Sequence, residues 1–100
     1  MALELSKELS SGISGNYWRI IRVLTECDVE TPYCTIILGL WVNRQTRLDG
    51  KSLLSSETVR MDLVDIDSTF SYDFRACLYN ALKTLPEWAD AIDVIEVDGA

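Results

Sequence analysis

The chain has 100 residues, 48% hydrophobic and 25% charged, with 16 acids against 9 bases for a net charge of −7. That length holds one domain with one core, buries roughly 60–70% of the unfolded surface, and leaves the fold only modestly stable by itself. The acidity repels a phosphate backbone and an anionic lipid surface, so neither nucleic acid nor a membrane is an expected partner.

Residues 2–9, ALELSKEL, set Leu3 and Leu5 on one side of an extended chain and predict a strand, ended by the Gly/Ser break SSGISGN. Acids within the first eight residues, and no apolar stretch behind them, argue against a signal peptide and place the chain in a cytoplasm. No apolar run approaches the roughly 18 residues of a membrane span.

Residues 16–28, NYWRIIRVLTECD, are rich in aromatic and β-branched types and predict a second strand. Plain alternation puts Trp18, Ile20 and Leu24 on one face and Tyr17, Ile21 and Val23 on the other. Arg19 and Arg22 then fall on opposite faces, so the strand should be bent or bulged, or covered on both sides. VETP supplies a turn at Pro32, and YCTIILGLWVN (33–43) is apolar on both faces. Such a strand belongs in the interior of a sheet, paired with its predecessor as an antiparallel hairpin.

RQTRLDGKSLLSS is polar, with room for a helical turn over Gln45–Leu48 and the hairpin-type pair Asp49–Gly50. Residues 57–66 alternate Val59, Met61 and Leu63 against Thr58, Arg60 and Asp62, which predicts a half-buried strand beside the hairpin. The period then becomes helical, with the stripe Phe74, Leu78, Ala81, Leu82 and Leu85. Ser71 is the expected N-cap with Asp73 in the first turn, and Pro86 ends the helix near Thr84 or opens a new turn. Beyond Pro86 come Glu87, Asp90, Asp93, Glu96 and Asp98 without a base, while Ala91, Val94 and Val97 suit a short helix or a strand equally. The expected fold is α+β: a small antiparallel β-sheet of about four strands with one C-terminal amphipathic helix packed on it. Residues 1–100 form one domain, in which 86–100 is an acidic C-terminal segment.

Chemistry is scarce in this inventory. With no histidine, Ser-His and Cys-His nucleophile pairs are excluded, and SGISGN lacks the Lys-Ser/Thr ending of a phosphate loop. Cys27, Cys34 and Cys77 read as reduced thiols; Cys27 and Cys34 bracket a turn, yet no C-x-x-C pair suggests zinc. Asp62, Asp65 and Asp67 do not follow a calcium-loop spacing and read as an acidic approach to the helix. Arg44, Arg47 and Lys51, interrupted by Asp49, read as a solvated turn rather than a phosphate site. The expectation is a protein that is not an enzyme and takes no cofactor or metal. Trp18 and Trp41 read as core. Trp88 either plugs its own core or anchors in a neighbour, and with Glu87, Asp90 and Asp93 it makes up the candidate partner-binding set. The acidity alone would also suit a monomeric binding module or inhibitor of a basic protein.

Two stretches, GISGNYWRI (12–20) and ALKTLPEWADAIDV (81–94), resemble short proteins from the structural gene clusters of tailed bacteriophages and prophages. Those carry a G-x-(T/S)-G-x-Y-W-(R/K)-I element, a strand hairpin, a run like RLDGK, and an ending close to L-K-T-L-P-E-(F/W)-x-x-A-x-D-V. Gly12, Gly15, Tyr17, Trp18, Arg19 and Ile20 fit the first pattern; Leu82 to Trp88, Ala91, Asp93 and Val94 fit the second. Residues 52–74 follow no part of it. The resemblance implies a multi-copy virion component of the tail, baseplate or head–tail region. It would assemble in the bacterial cytoplasm with other phage structural proteins or copies of itself. Its motifs are structural, and it brings no catalytic residues.

Overall fold

The computed structural model describes residues 2–94. In chain order the elements are β1 (Ala2–Glu8), β2 (Ser14–Glu26), β3 (Tyr33–Trp41), α1 (Arg44–Leu48), β4 (Ser55–Asp62), α2 (Phe74–Leu82) and β5 (Ile92–Val94). Single 3-10 turns lie at Leu63–Asp65 and Pro86–Trp88. The strands form one antiparallel sheet in the order β4-β3-β2-β1-β5.

The α+β class and the antiparallel sheet agree with the sequence reading; the strand count and the position of the helix do not. Among the described residues there are five strands rather than about four, because Ile92–Val94 pairs with Ala2–Glu4 along the outer edge of β1. The amphipathic helix is α2, followed by a 3-10 turn and β5, so it is not C-terminal, and α1 is a second helix. A three-residue strand carries too little alternation to be told from a helical turn, which is why Ala91 and Val94 left the choice open. Val97, Glu96 and Asp98 lie outside the described residues.

Along β3, Cys34, Ile36, Leu38 and Leu40 are fully buried on the side covered by α2. From α2 come Cys77, Leu78, Tyr79, Ala81 and Leu82, each 2% exposed or less. Phe74, the first residue of the expected stripe, is 46% exposed, since the helix starts there and its first turn overhangs the core. Asp73 rather than Ser71 is the N-cap: its side chain accepts from the Arg75 amide at 2.9 Å, while Ser71 Oγ accepts from the Asp73 amide at 3.1 Å. Capping from one residue before the helix satisfies an amide that the helix cannot.

Asp49–Gly50 stops a helix instead of turning a hairpin. The Gly50 amide donates to the Arg47 carbonyl at 3.0 Å and the Lys51 amide to the Thr46 carbonyl at 3.1 Å, with Gly50 at φ +76°. This pair of bonds closes α1 and needs a left-handed residue, a conformation that glycine adopts without a Cβ clash.

Strand β2 carries the bulge that its length and its two arginines suggested. Register with β3 shifts between Ile20 and Arg22, so that Ile20 faces Leu38 and Val23 faces Ile36. Val23 therefore joins Trp18 and Ile20 against the core, and Leu24 turns outward at 45% exposure. Plain alternation had these two residues reversed, because one extra residue exchanges the faces of everything after it.

Candidate partner-docking surface

The ending KTLPEW builds its own anchor. Leu85 is extended, Pro86 takes the first position of the 3-10 turn, and the Trp88 amide donates to the Leu85 carbonyl at 3.0 Å. The turn drops the Trp88 indole onto Trp18, edge to face, with centroids 4.9 Å apart and planes at 81°. Trp88 is 3% exposed and Trp18 1%, and Trp18 Nε1 donates to the Leu5 carbonyl at 2.8 Å. Lys7 lies over the Trp18 ring at 5.8 Å and forms an ion pair with Glu57, linking β1 to β4 across the two strands between them.

The structure thus separates the predicted partner-binding set. Trp88 packs within its own chain, whereas Glu87, Asp90 and Asp93 are exposed. Asp93 Oδ2 accepts from Lys83 Nζ at 2.7 Å. Glu87 borders a groove of about 290 Å³ with Leu5, Lys7, Trp18, Glu57 and Trp88, on the side of the sheet that α2 covers.

The other sequence candidates have local roles. Asp67 Oδ1 accepts from the Thr69 hydroxyl at 2.5 Å and from its amide at 2.9 Å, and these bonds hold the Asp67 carboxyl below the usual aspartate range. Asp62 ends β4 opposite Tyr33, and Asp65 lies in the adjoining turn; among the described residues no three acids or thiols gather as a metal site. The Arg47 guanidinium lies over the Trp41 ring at 6.0 Å, and Trp41 Nε1 donates to the Lys51 carbonyl at 3.3 Å, so this basic turn packs on an aromatic. All three thiols are free: Cys27 is exposed, Cys34 and Cys77 are buried, and burial pushes the Cys34 thiol up.

The second face of the sheet was not singled out by the sequence. At one end Ala2, Tyr17 and Trp41 form a small cluster with Val94. Toward the hairpin tip no described element covers it, and Ile21 and Leu24 are 47% and 45% exposed. The register sets Arg19 opposite Gly39, Arg22 opposite Ile37, and Arg60 opposite Thr35, all on this face. The bulge is responsible: it returns Arg22 to the face of Arg19 that simple alternation would deny it. Arg60 stacks over the Tyr33 ring at 3.6 Å, and the Trp41 ring and Ile21 close over Gly39, where a Cβ would stand 3.0 Å from the indole. A mixed apolar and arginine-bearing surface of this kind has the chemistry of a protein interface.

Comparison with protein-family models, with curated proteins and with solved structures finds no match to this chain.

Proposed function

We propose that this protein is non-enzymatic and works by protein–protein assembly, as a structural component of a phage or prophage virion in the tail, baseplate or head–tail region. Its partners are copies of itself and other structural proteins, met first in the bacterial cytoplasm. The observation that carries the assembly reading is the sheet face opposite α2, where Ile21, Leu24, Arg22 and Arg60 stand uncovered by any described element. Support for the virion setting comes from the two motif segments. Gly12 adopts φ +88° in the turn before β2, Pro86 opens the turn that carries Trp88, and Trp88 packs on Trp18, so the two motif segments meet in the core.

Light scattering over a wide concentration range tests the reading. A mass above that of one chain, rising with concentration, is expected. The net charge of −7 favours a second reading, a monomeric module that binds a basic host protein. A single-chain mass at every concentration would select it and reject self-assembly.

A further inference from the structure

The geometry points to a second copy of this chain as the occupant of the arginine-bearing sheet face, docking through its exposed Glu87 and Asp90. This inference rests on the assembly reading and adds which surface meets which.

The chain is acidic as a whole, yet the uncovered face brings Arg19, Arg22 and Arg60 together around Ile21, Leu24 and Ile37. Its acids stand at the margins: Glu4 on the β1 edge, Glu26 and Asp62 at the row ended by Tyr33. Two such faces cannot stack on each other without bringing arginine onto arginine, so a symmetric face-to-face dimer is disfavoured. The complementary surface is on the other side of the molecule. There the segment that follows α2 carries Glu87 and Asp90, both exposed, while Asp93 is already engaged by Lys83. Arginine face to acidic segment is therefore a head-to-tail contact, which leaves one unused surface at each end and adds further copies until a ring closes or a filament grows. Exposed apolar side chains among the arginines supply the buried area, and the charges set register and orientation.

The test is a pair of charge-reversed chains and their mixture, followed by sedimentation and light scattering. Arg22→Glu with Arg60→Glu makes the open face acidic; Glu87→Lys with Asp90→Lys makes the segment basic. Each chain alone then meets like charge, and association should weaken by about tenfold or more. Mixed together, each interface again joins opposite charges, and wild-type masses should return as alternating copies. Circular dichroism melting reports whether the doubly changed chains fold. Arg22→Glu alone, at an exposed position, serves as the milder variant and should weaken assembly in the same direction. If the wild type assembles but both reversed chains assemble equally well, or their mixture restores nothing, the contact is wrong while the assembly reading survives. A wild type that stays a single chain overturns both. A chain ending at Val94 should assemble normally; if that truncation alone abolishes assembly, the face belongs to residues 95–100 and the inference fails.

Discussion

The backbone amide of Ile20 donates a 2.7 Å hydrogen bond to the hydroxyl of Tyr79, joining the helix to the strand where the strand bulges. Among the described residues the registered pairs of β1 and β2 end at Leu3–Trp18, and at Ile20 the helix supplies the acceptor. Tyr79 is 1% exposed, and its ring fills the core while its oxygen satisfies the amide. Tyr79→Phe keeps the ring and strands a part-buried donor, at a cost of about 1–3 kcal/mol. In a domain of this size each kcal/mol is worth about 4–8 °C in melting temperature. Calorimetry or a urea titration that finds no loss would mean that water reaches this amide and the bond does not fix the bulge.

Much of the fold was legible because the strands announce themselves by composition. Residues 33–43 are apolar on both faces, which marks β3 as an interior strand, and β4 follows from the alternation of Val59 and Met61. The arginine face was not legible, since it depends on one bulged residue that local propensity does not mark. Alternation assigned Arg19 and Arg22 to different faces, and Ile21 gave no sign of being the irregular position. Trp88 was legible as an anchor but not as to where it anchors; only the turn begun by Pro86 brings it to Trp18.

Trp88→Ala removes a 3% exposed indole packed on Trp18 and should cost about 3–5 kcal/mol, with loss of near-ultraviolet circular dichroism from the paired rings. Trp88→Phe keeps an aromatic edge toward Trp18 and should cost less. In a double-mutant cycle of Trp88→Ala with Trp18→Leu, the edge-to-face contact should appear as a coupling of about 0.5–1.5 kcal/mol. Additive effects would show that the two rings are merely neighbours.

Gly15 is closely confined from the side of β3. A Cβ at this position would stand 2.6 Å from the Trp41 carbonyl oxygen and 3.0 Å from Leu40. Backbone cannot yield as a flexible side chain does, so Gly15→Ala should push β2 away from the β3 terminus, with a loss of about 1–3 kcal/mol. Gly12→Ala meets no neighbour within 4 Å but must hold φ +88°, which costs about 1–2 kcal/mol through backbone strain alone. Denaturant midpoints should therefore fall for both variants. Hydrogen exchange at the Trp41 end of β3 should speed up only for Gly15→Ala.

The Asp67 carboxyl, lowered first by its bond to the Thr69 hydroxyl and then by the Thr69 amide, ties stability to acid pH. A carboxyl more acidic in the folded than in the unfolded chain stabilises the fold above the unfolded value, and this contribution disappears as the pH falls through the lowered folded value. Asp67→Ala should lower the melting temperature slightly at neutral pH, and the gap to wild type should close as the pH drops below the usual aspartate range. A gap that stays constant through that range would detach the effect from ionisation.

Cysteine accessibility checks the placement of the sheet without any substitution. Cys27 lies exposed in the β2–β3 connection, while Cys34 is fully buried in β3 and Cys77 is 1% exposed in α2, its Sγ 3.3 Å from the Ser71 carbonyl. The thiolate is the reactive form, and burial both raises the Cys34 thiol and shields it from reagent. A thiol-specific reagent at neutral pH should therefore modify Cys27 rapidly in the folded chain, and Cys34 and Cys77 only on unfolding, as intact mass spectrometry would count. The rate at Cys34 should follow global unfolding and slow when the fold is stabilised, because β3 has β2 on one side and β4 on the other. Rapid labelling of Cys34 in the native chain would mean that β4 detaches locally, and would remove Arg60 from the face it shares with Arg22.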